Sequence, residues 1–196
     1  MQTGRTAKAI RKSKETQIEV ALSLDGTGVI DISTGIGFFD HMLTAFAVHG
    51  GLNLTVKTSG DLEVDTHHTI EDTGIVLGKA IYKALGDKSG IVRFGQACVP
   101  MDEALSRAVL DISGRPYLVF NADFSYYKIG EMASDMVEEF FRALTENAGI
   151  TLHIECMYGS NDHHKCEALF KAFARAFRQA VVKSDTGNST KGMLDI

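Results

Sequence analysis

Apolar residues along the chain recur in two rhythms, and the rhythms come in the same order twice. Glu19-Val-Ala-Leu-Ser-Leu-Asp-Gly26 and Arg107-Ala-Val-Leu-Asp-Ile-Ser-Gly114 are alternating runs that end on glycine, which predicts strands entering turns. Phe39 to Leu54 and Val137 to Leu152 each read as a short helix stopped by a glycine, Gly51 or Gly149, and followed by a strand. Thr66 and Asp162 then open longer helices. Ile70, Leu77, Ile81 and Leu85 fall near one face of the first, and Phe170, Phe173, Phe177 and Val181 near one face of the second.

These segment pairs stand at nearly constant offsets: 88 from Glu19 to Arg107, 98 from Phe39 to Val137 and 96 from Thr66 to Asp162. An internal duplication explains the shared order. Residues 1–90 are expected to form one half and residues 91–196 the other, each running strands, helix, strand, helix. Each apolar helix face needs a sheet to cover it, so the class is α/β or α+β and the halves pack as one unit.

The chain has 196 residues, 44% hydrophobic and 23% charged, enough for one sizeable core or two small halves. Its longest apolar runs, Ile36 to Phe39 and Ala45 to Val48, fall far short of the ~20 residues a bilayer requires, so a cytoplasmic protein without a membrane partner is expected. The three cysteines, Cys98, Cys156 and Cys166, are odd in number and lack CxxC spacing. They read as reduced, buried thiols and not as a disulfide framework or a thiolate zinc site. A net charge of -5 argues against nucleic-acid binding. The basic start, with Arg5, Lys8, Arg11, Lys12 and Lys14, reads as a solvated or interface-forming arm that could attract a phosphorylated metabolite.

The chemistry is concentrated where the repeat is clearest. Thr66-His-His-Thr-Ile-Glu71 returns as Asp162-His-His-Lys-Cys-Glu167. One His-His-x-x-Glu at a helix start is weak evidence for a metal, because such residues often cap or pair at the surface. Two copies at matching places are strong evidence. On an α-helix His67 and Glu71 lie about 40° apart, and His68 and Glu71 about 60°, so either pair can reach one ion. Adjacent His67 and His68 diverge by about 100°, which suggests two metal positions fed by both halves or by neighbouring subunits. The same holds for His163, His164 and Glu167. His41 is a further candidate ligand, and the offset of 98 places Glu139 at its counterpart. His49 and His153 fall outside the pattern and read as structural. Imidazoles and carboxylates without thiolate suit Mn(II), Fe(II), Co(II) or Zn(II).

Several stretches together resemble the imidazoleglycerol-phosphate dehydratase family: Gly-Ile-Gly-Phe-Phe-Asp-His-Met-Leu at 35–43, Asp-Thr-His-His-Thr-Ile-Glu-Asp at 65–72, Arg-Phe-Gly at 93–95, Pro-Met-Asp-Glu-Ala at 100–104, Asp-Ile-Ser-Gly-Arg-Pro at 111–116, Asn-Asp-His-His-Lys-Cys-Glu-Ala-Leu-Phe-Lys-Ala-Phe-Ala-Arg-Ala at 161–176, and Thr-Lys-Gly at 190–192. The resemblance spans essentially the whole chain. It implies an α+β fold of two related halves, each a four-stranded sheet with helices, the helices lying between the sheets (ribosomal protein S5 domain 2-like). It further implies two Mn2+ ions per site, trimers within a 24-subunit shell, and sites at subunit interfaces. Members of the family often carry His where this chain has Glu139.

The implied reaction removes water from a phosphorylated imidazole substrate in histidine biosynthesis. The proton to be lost sits on a carbon that is not acidic by itself. Cations on both ring nitrogens could hold the ring as an imidazolate that expels hydroxide through a diazafulvene-like intermediate. Glu167, with Glu71 as the symmetric alternative, is the expected base. Lys171 could serve the departing oxygen, Glu15 matches a substrate-contacting position, and Asp102 orients one of these groups or caps a turn. Arg93 and Arg115 are expected on the phosphate, whose oxygens a guanidinium grips in pairs, with Ser189, Thr190 and Lys191 adding contacts. A metal-assembled structural or metal-storage shell would use the same ligands without the spaced arginines. A dinuclear metallohydrolase would need Asp-rich strand ends, and a ferritin-like bundle conflicts with the glycine-punctuated strands.

Overall fold

The computed structural model describes residues 4–185. Ser189, Thr190 and Lys191 therefore lie outside the described residues. The first sheet has the order β1 (Thr6–Lys12), β2 (Thr16–Ser23), β4 (Asn53–Gly60), β3 (Ile30–Ser33), with α1 (Gly37–Gly50) between β3 and β4 in the chain and α2 (His67–Leu85) after β4. The second has the order β5 (Phe94–Met101), β6 (Ala104–Asp111), β10 (Thr151–Tyr158), β7 (Tyr117–Asn121), with α3 (Met136–Ala148) and α4 (Asp162–Ala180) in the corresponding places.

Strand alternation decides which face is covered. Ile18, Val20 and Leu22 of β2 are buried while Gln17 and Glu19 point the other way, and Ala104, Ala108 and Leu110 repeat this on β6. Pairing registers repeat as well. Thr6 opposes Ser23 and Phe94 opposes Asp111; Ser23 opposes Asn53 and Asp111 opposes Thr151; Ile30 lies parallel to Leu54 and Leu118 to Leu152. A one-residue slip would have moved every side chain to the wrong face; the shared register departs only at the end of β10, where a bulge between Cys156 and Tyr158 has no counterpart in β4.

The helices form the layer between the sheets. α2 covers β1 and β2, α4 covers β5 and β6, and the layers interlock because α1 packs on α4 and α2 on α3. Phe46 of α1 stacks on Phe173 of α4 at 5.2 Å, and Phe140 of α3 stacks on Phe170 of α4 at 5.3 Å. Truncating one such ring to Ala costs about 3–5 kcal/mol. α2 and α3 approach so closely that a Cβ on Gly78 would lie 2.6 Å from the Leu144 carbonyl oxygen, a contact only glycine permits. Gly51 and Gly149 stop α1 and α3 in the left-handed conformation, at φ 67 and 65.

Three features depart from the reading of the sequence. The basic start is no free arm: it is edge strand β1. Lys8 pairs outward with Glu19 at 2.6 Å, and Arg11 turns inward to Asp72 of α2 at 2.9 Å, so strand alternation splits the charges between two acidic partners. Of the cysteines only Cys166 is buried, because Cys98 occupies an outward position of β5 and is exposed. The step in offset from 88 to 98 has a structural cause. β3 reaches α1 through residues 34–36, whereas β7 reaches α3 through residues 122–135, which hold a small hairpin, β8 (Lys128–Ile129) and β9 (Met132–Ala133). Among the described residues no helix is long and apolar enough to cross a membrane.

Candidate metal centre and active site

The N-terminus of α4 organises the main cluster. Asn161 caps it, its side-chain oxygen accepting the backbone N–H of His163 at 2.9 Å and of His164 at 3.4 Å. One turn on, Glu167 meets His163, with Nε2 3.2 Å from Oε2. The packing of α1 on α4 delivers His41, whose Nε2 lies 3.3 Å from the same oxygen. Ligand atoms of His41, His163 and Glu167 all lie within 4.8 Å of one another, and no other such trio occurs among the described residues. The edge of Phe38 closes one side, its centroid 5.0 Å from that of His163 and 6.4 Å from that of His41.

The other carboxylate oxygen of Glu167 is held by Lys171, with Nζ 2.6 Å from Oε1. Glu167 is buried, and burial by itself pushes its pKa up. The hydrogen bonds from Lys171 and His41 and their charges outweigh that push, and the carboxyl is held below its usual range. It is ionised at neutral pH.

The second imidazole of each doublet turns toward its own carboxylate. His164 Nδ1 lies 2.7 Å from Oε2 of Glu103, in the β5–β6 turn, and Nε2 lies 3.6 Å from Asp102. Glu103 also accepts the backbone N–H groups of Ser160 and Asn161, at 3.1 and 2.7 Å. The bond to His164, then that to Asn161, pulls its pKa down to about 2, and Glu103 in turn raises that of His164. In the first half His68 Nδ1 lies 3.0 Å from Asp61, which raises its pKa, and the charge of Glu15 acts in the same direction. An imidazole whose Nδ1 is bound to a carboxylate presents Nε2 as a ligand, the usual support of a metal-binding histidine. Glu103 escaped the reading of the sequence, although the offset of 88 carries Glu15 onto it.

The first-half counterpart of the trio is looser. His67 Nε2 lies 3.3 Å from Oε2 of Glu71, but Glu139 is engaged by Arg142 of its own helix, with Nε 3.5 Å from Oε1, and does not join them in a trio. The two predicted phosphate arginines lie together and away from the trio. Arg93 grips Asp111 with two bonds, of 2.6 and 3.0 Å, and Arg115 reaches the same carboxylate at 3.9 Å. The backbone N–H of Arg93 donates to Ala180 at the far end of α4. A helix of 19 residues is about 28 Å long, so within one chain neither arginine can touch a small molecule bound at His163.

Two sheets around a helical layer, with converging imidazoles and a lysine-held carboxylate, define an α+β enzyme whose site can take a divalent metal. The family model described as imidazoleglycerol-phosphate dehydratase matches residues 34–177. Proteins of that name from Acetivibrio thermocellus and Methanococcoides burtonii are each 58% identical to this chain, over 94% and 97% of it and 96% and 100% of their own lengths. The crystal structure of the imidazoleglycerol-phosphate dehydratase of Staphylococcus aureus superposes with a TM-score of 0.83 at 44% identity, over 91% of this chain and 99% of that one. That of Pyrococcus furiosus gives 0.83 at 37% identity, over 94% and 99%. The chain belongs to the imidazoleglycerol-phosphate dehydratase family.

Proposed function

We propose that this chain dehydrates imidazoleglycerol phosphate to imidazoleacetol phosphate, a step of histidine biosynthesis in the cytoplasm, with two Mn2+ ions per site. The observation that carries the reading is the trio of His41, His163 and Glu167 joined to Lys171. Two imidazole nitrogens and one carboxylate oxygen, converging within 4.8 Å, fit a first-row divalent cation in number and hardness. We assign this trio to one ion. His67 and Glu71, with Glu139 turned away from Arg142, are its counterpart, and His68 and His164 offer Nε2 to complete the shells. When bound, the cations would supply the positive charge that keeps the imidazole ring anionic and makes the neighbouring C–H removable.

The protein groups then divide the proton work. Glu167, ionised at neutral pH, takes the proton from carbon, and Lys171 gives a proton to the departing hydroxyl, so that water leaves and the enol relaxes to the ketone. Glu71 is the symmetric alternative base, and Glu15 and Asp102 sit at turns beside His68 and His164, where a substrate hydroxyl can reach them. Arg93 and Arg115 bind phosphate. Because α4 separates them from the trio of their own chain, the phosphate they hold belongs to a substrate at a neighbouring subunit's metals, which favours a homo-oligomer; we propose trimers within a 24-subunit assembly.

The test is to strip the protein with chelator, restore Mn2+, and assay ketone formation from imidazoleglycerol phosphate. Turnover is expected only after metal is restored. Full loading without turnover would favour a metal-storage shell and overturn the reading.

A further inference from the structure

Two charged side chains beside the trio have no part in the chemistry above, and both are nearly sealed from water. Lys165 and Asp162, with side chains 7% and 5% exposed, pair at 2.5 Å on the first turn of α4. Lys165 Nζ also donates to the Asp123 carbonyl at 2.7 Å and stands 5.6 Å over the Phe124 ring, while Asp162 Oδ2 accepts the Tyr126 backbone N–H at 2.7 Å. The pair thus holds the segment between β7 and β8 at three places. A buried ion pair is a poor source of stability compared with apolar packing, but its directional bonds fix one arrangement. In the first half the offset of 96 puts Thr66 and Thr69 at these positions, and there β3 runs into α1 through residues 34–36 with no inserted hairpin for them to hold.

The held segment leads to the site. Gly130, in the turn of the β8–β9 hairpin, backs onto Phe38, where a Cβ would lie 3.3 Å from that of Phe38. Phe38 in turn touches His163. Between this arm and α4 lies an open cleft of about 520 Å³, bordered by Tyr126, Lys128, Gly130, Ser160, Asn161 and His163. Lys128 and Tyr126 are both exposed along it.

We propose that residues 123–130 form the substrate-facing wall of the α4 metal site, positioned by the Lys165–Asp162 pair, and that Lys128 supplies a cation to the anionic end of the bound substrate. The substrate named here rests on the function proposed above. Among the described residues the arm belongs to the second half alone, so the two ends proposed to bear metal are unequal: there, only α4 carries a wall.

The test uses the metal-loaded, assembled protein and chymotrypsin, which cuts after the exposed Tyr126 and Tyr127. Lys165→Met is expected to speed cutting there and to raise KM for imidazoleglycerol phosphate about tenfold, the effect of one lost charged contact, with kcat and Mn2+ affinity within about twofold. Lys128→Ala, a surface change that spares folding, should raise KM by a similar factor without speeding the cut. An unchanged KM in Lys128→Ala, or unchanged cutting in a folded Lys165→Met, overturns the proposal. Should the wild type turn over no substrate, the functional reading fails while the arm is still decided: inorganic phosphate must slow cutting in the wild type and not in Lys128→Ala.

Discussion

Lys171 Nζ lies 2.6 Å from one oxygen of Glu167 while the other oxygen faces His41 and His163 at 3.3 and 3.2 Å. One carboxylate therefore serves three neighbours, Lys171 through one oxygen and His41 and His163 through the other. Glu167→Gln keeps the shape but removes the charge and replaces one accepting oxygen with an NH2 donor, and turnover should fall by 10²-fold or more, on the order of a lost general base. A far-ultraviolet circular dichroism spectrum should be unaltered. Activity within tenfold of the parent would remove Glu167 from the role of base.

Glu103 is expected to act through His164. Glu103→Gln should weaken Mn2+ binding by roughly tenfold, the usual effect of losing a carboxylate behind a metal-bound imidazole. Competition against a chelator of known affinity measures it. If affinity holds, Glu103 serves only to accept Ser160 and Asn161 in their turn.

Arg115 is 58% exposed at its side chain and only loosely tied to Asp111, whereas Arg93 is 18% exposed and doubly bonded. Arg115→Ala should raise KM about tenfold with kcat and melting temperature nearly constant. Arg93→Ala should raise KM and also lower the melting temperature, since it strips a half-buried Asp111 of its partner. Steady-state kinetics beside thermal melts separate the two outcomes, and an unchanged KM in both variants would end the phosphate assignment.

The acid response of one surface pair can be stated with its sign. The hydrogen bond from Arg5 outweighs burial and holds the Asp25 carboxyl below its ordinary value. A carboxyl whose folded pKa is depressed contributes stability in full above its unfolded value, near 3.9, and loses it as pH falls through the folded value. Because Asp25 is half exposed, the contribution is about 0.5 kcal/mol. Asp25→Asn should be less stable than the parent by that amount at pH 7, and the gap should close as the pH falls below the ordinary carboxylate range and through the depressed folded value. Urea titrations at neutral and at acid pH measure it, and a gap that widens in acid would reverse the sign.

How far the sequence could be read depended on the range of the interaction. The helix faces were legible from spacing, and Ile70, Leu77, Phe170 and Phe173 are all fully buried. His163 with Glu167 was legible because four residues make one helical turn. Meeting His41 required α1 to pack on α4, a tertiary event; in the sequence the residue showed only as a metal-capable side chain with Glu139 at the matching offset, and in the family-like stretch 35–43. The β8–β9 hairpin was missed because strands of two residues leave no alternation to detect. The first strand was misread because its lysines and arginines suggested solvent, while their acidic partners lie on β2 and α2, far off in the chain. The distance between Arg93 and the trio, set by the length of α4, also has no local signature.

The crossed packing of the helices makes each half depend on the other. Since α1 rests on α4 and α2 on α3, a solitary half would expose the very rings that make the core, among them Phe46 on one side and Phe173 on the other. Neither half could keep those rings from water by itself, so the two halves fold as one cooperative unit.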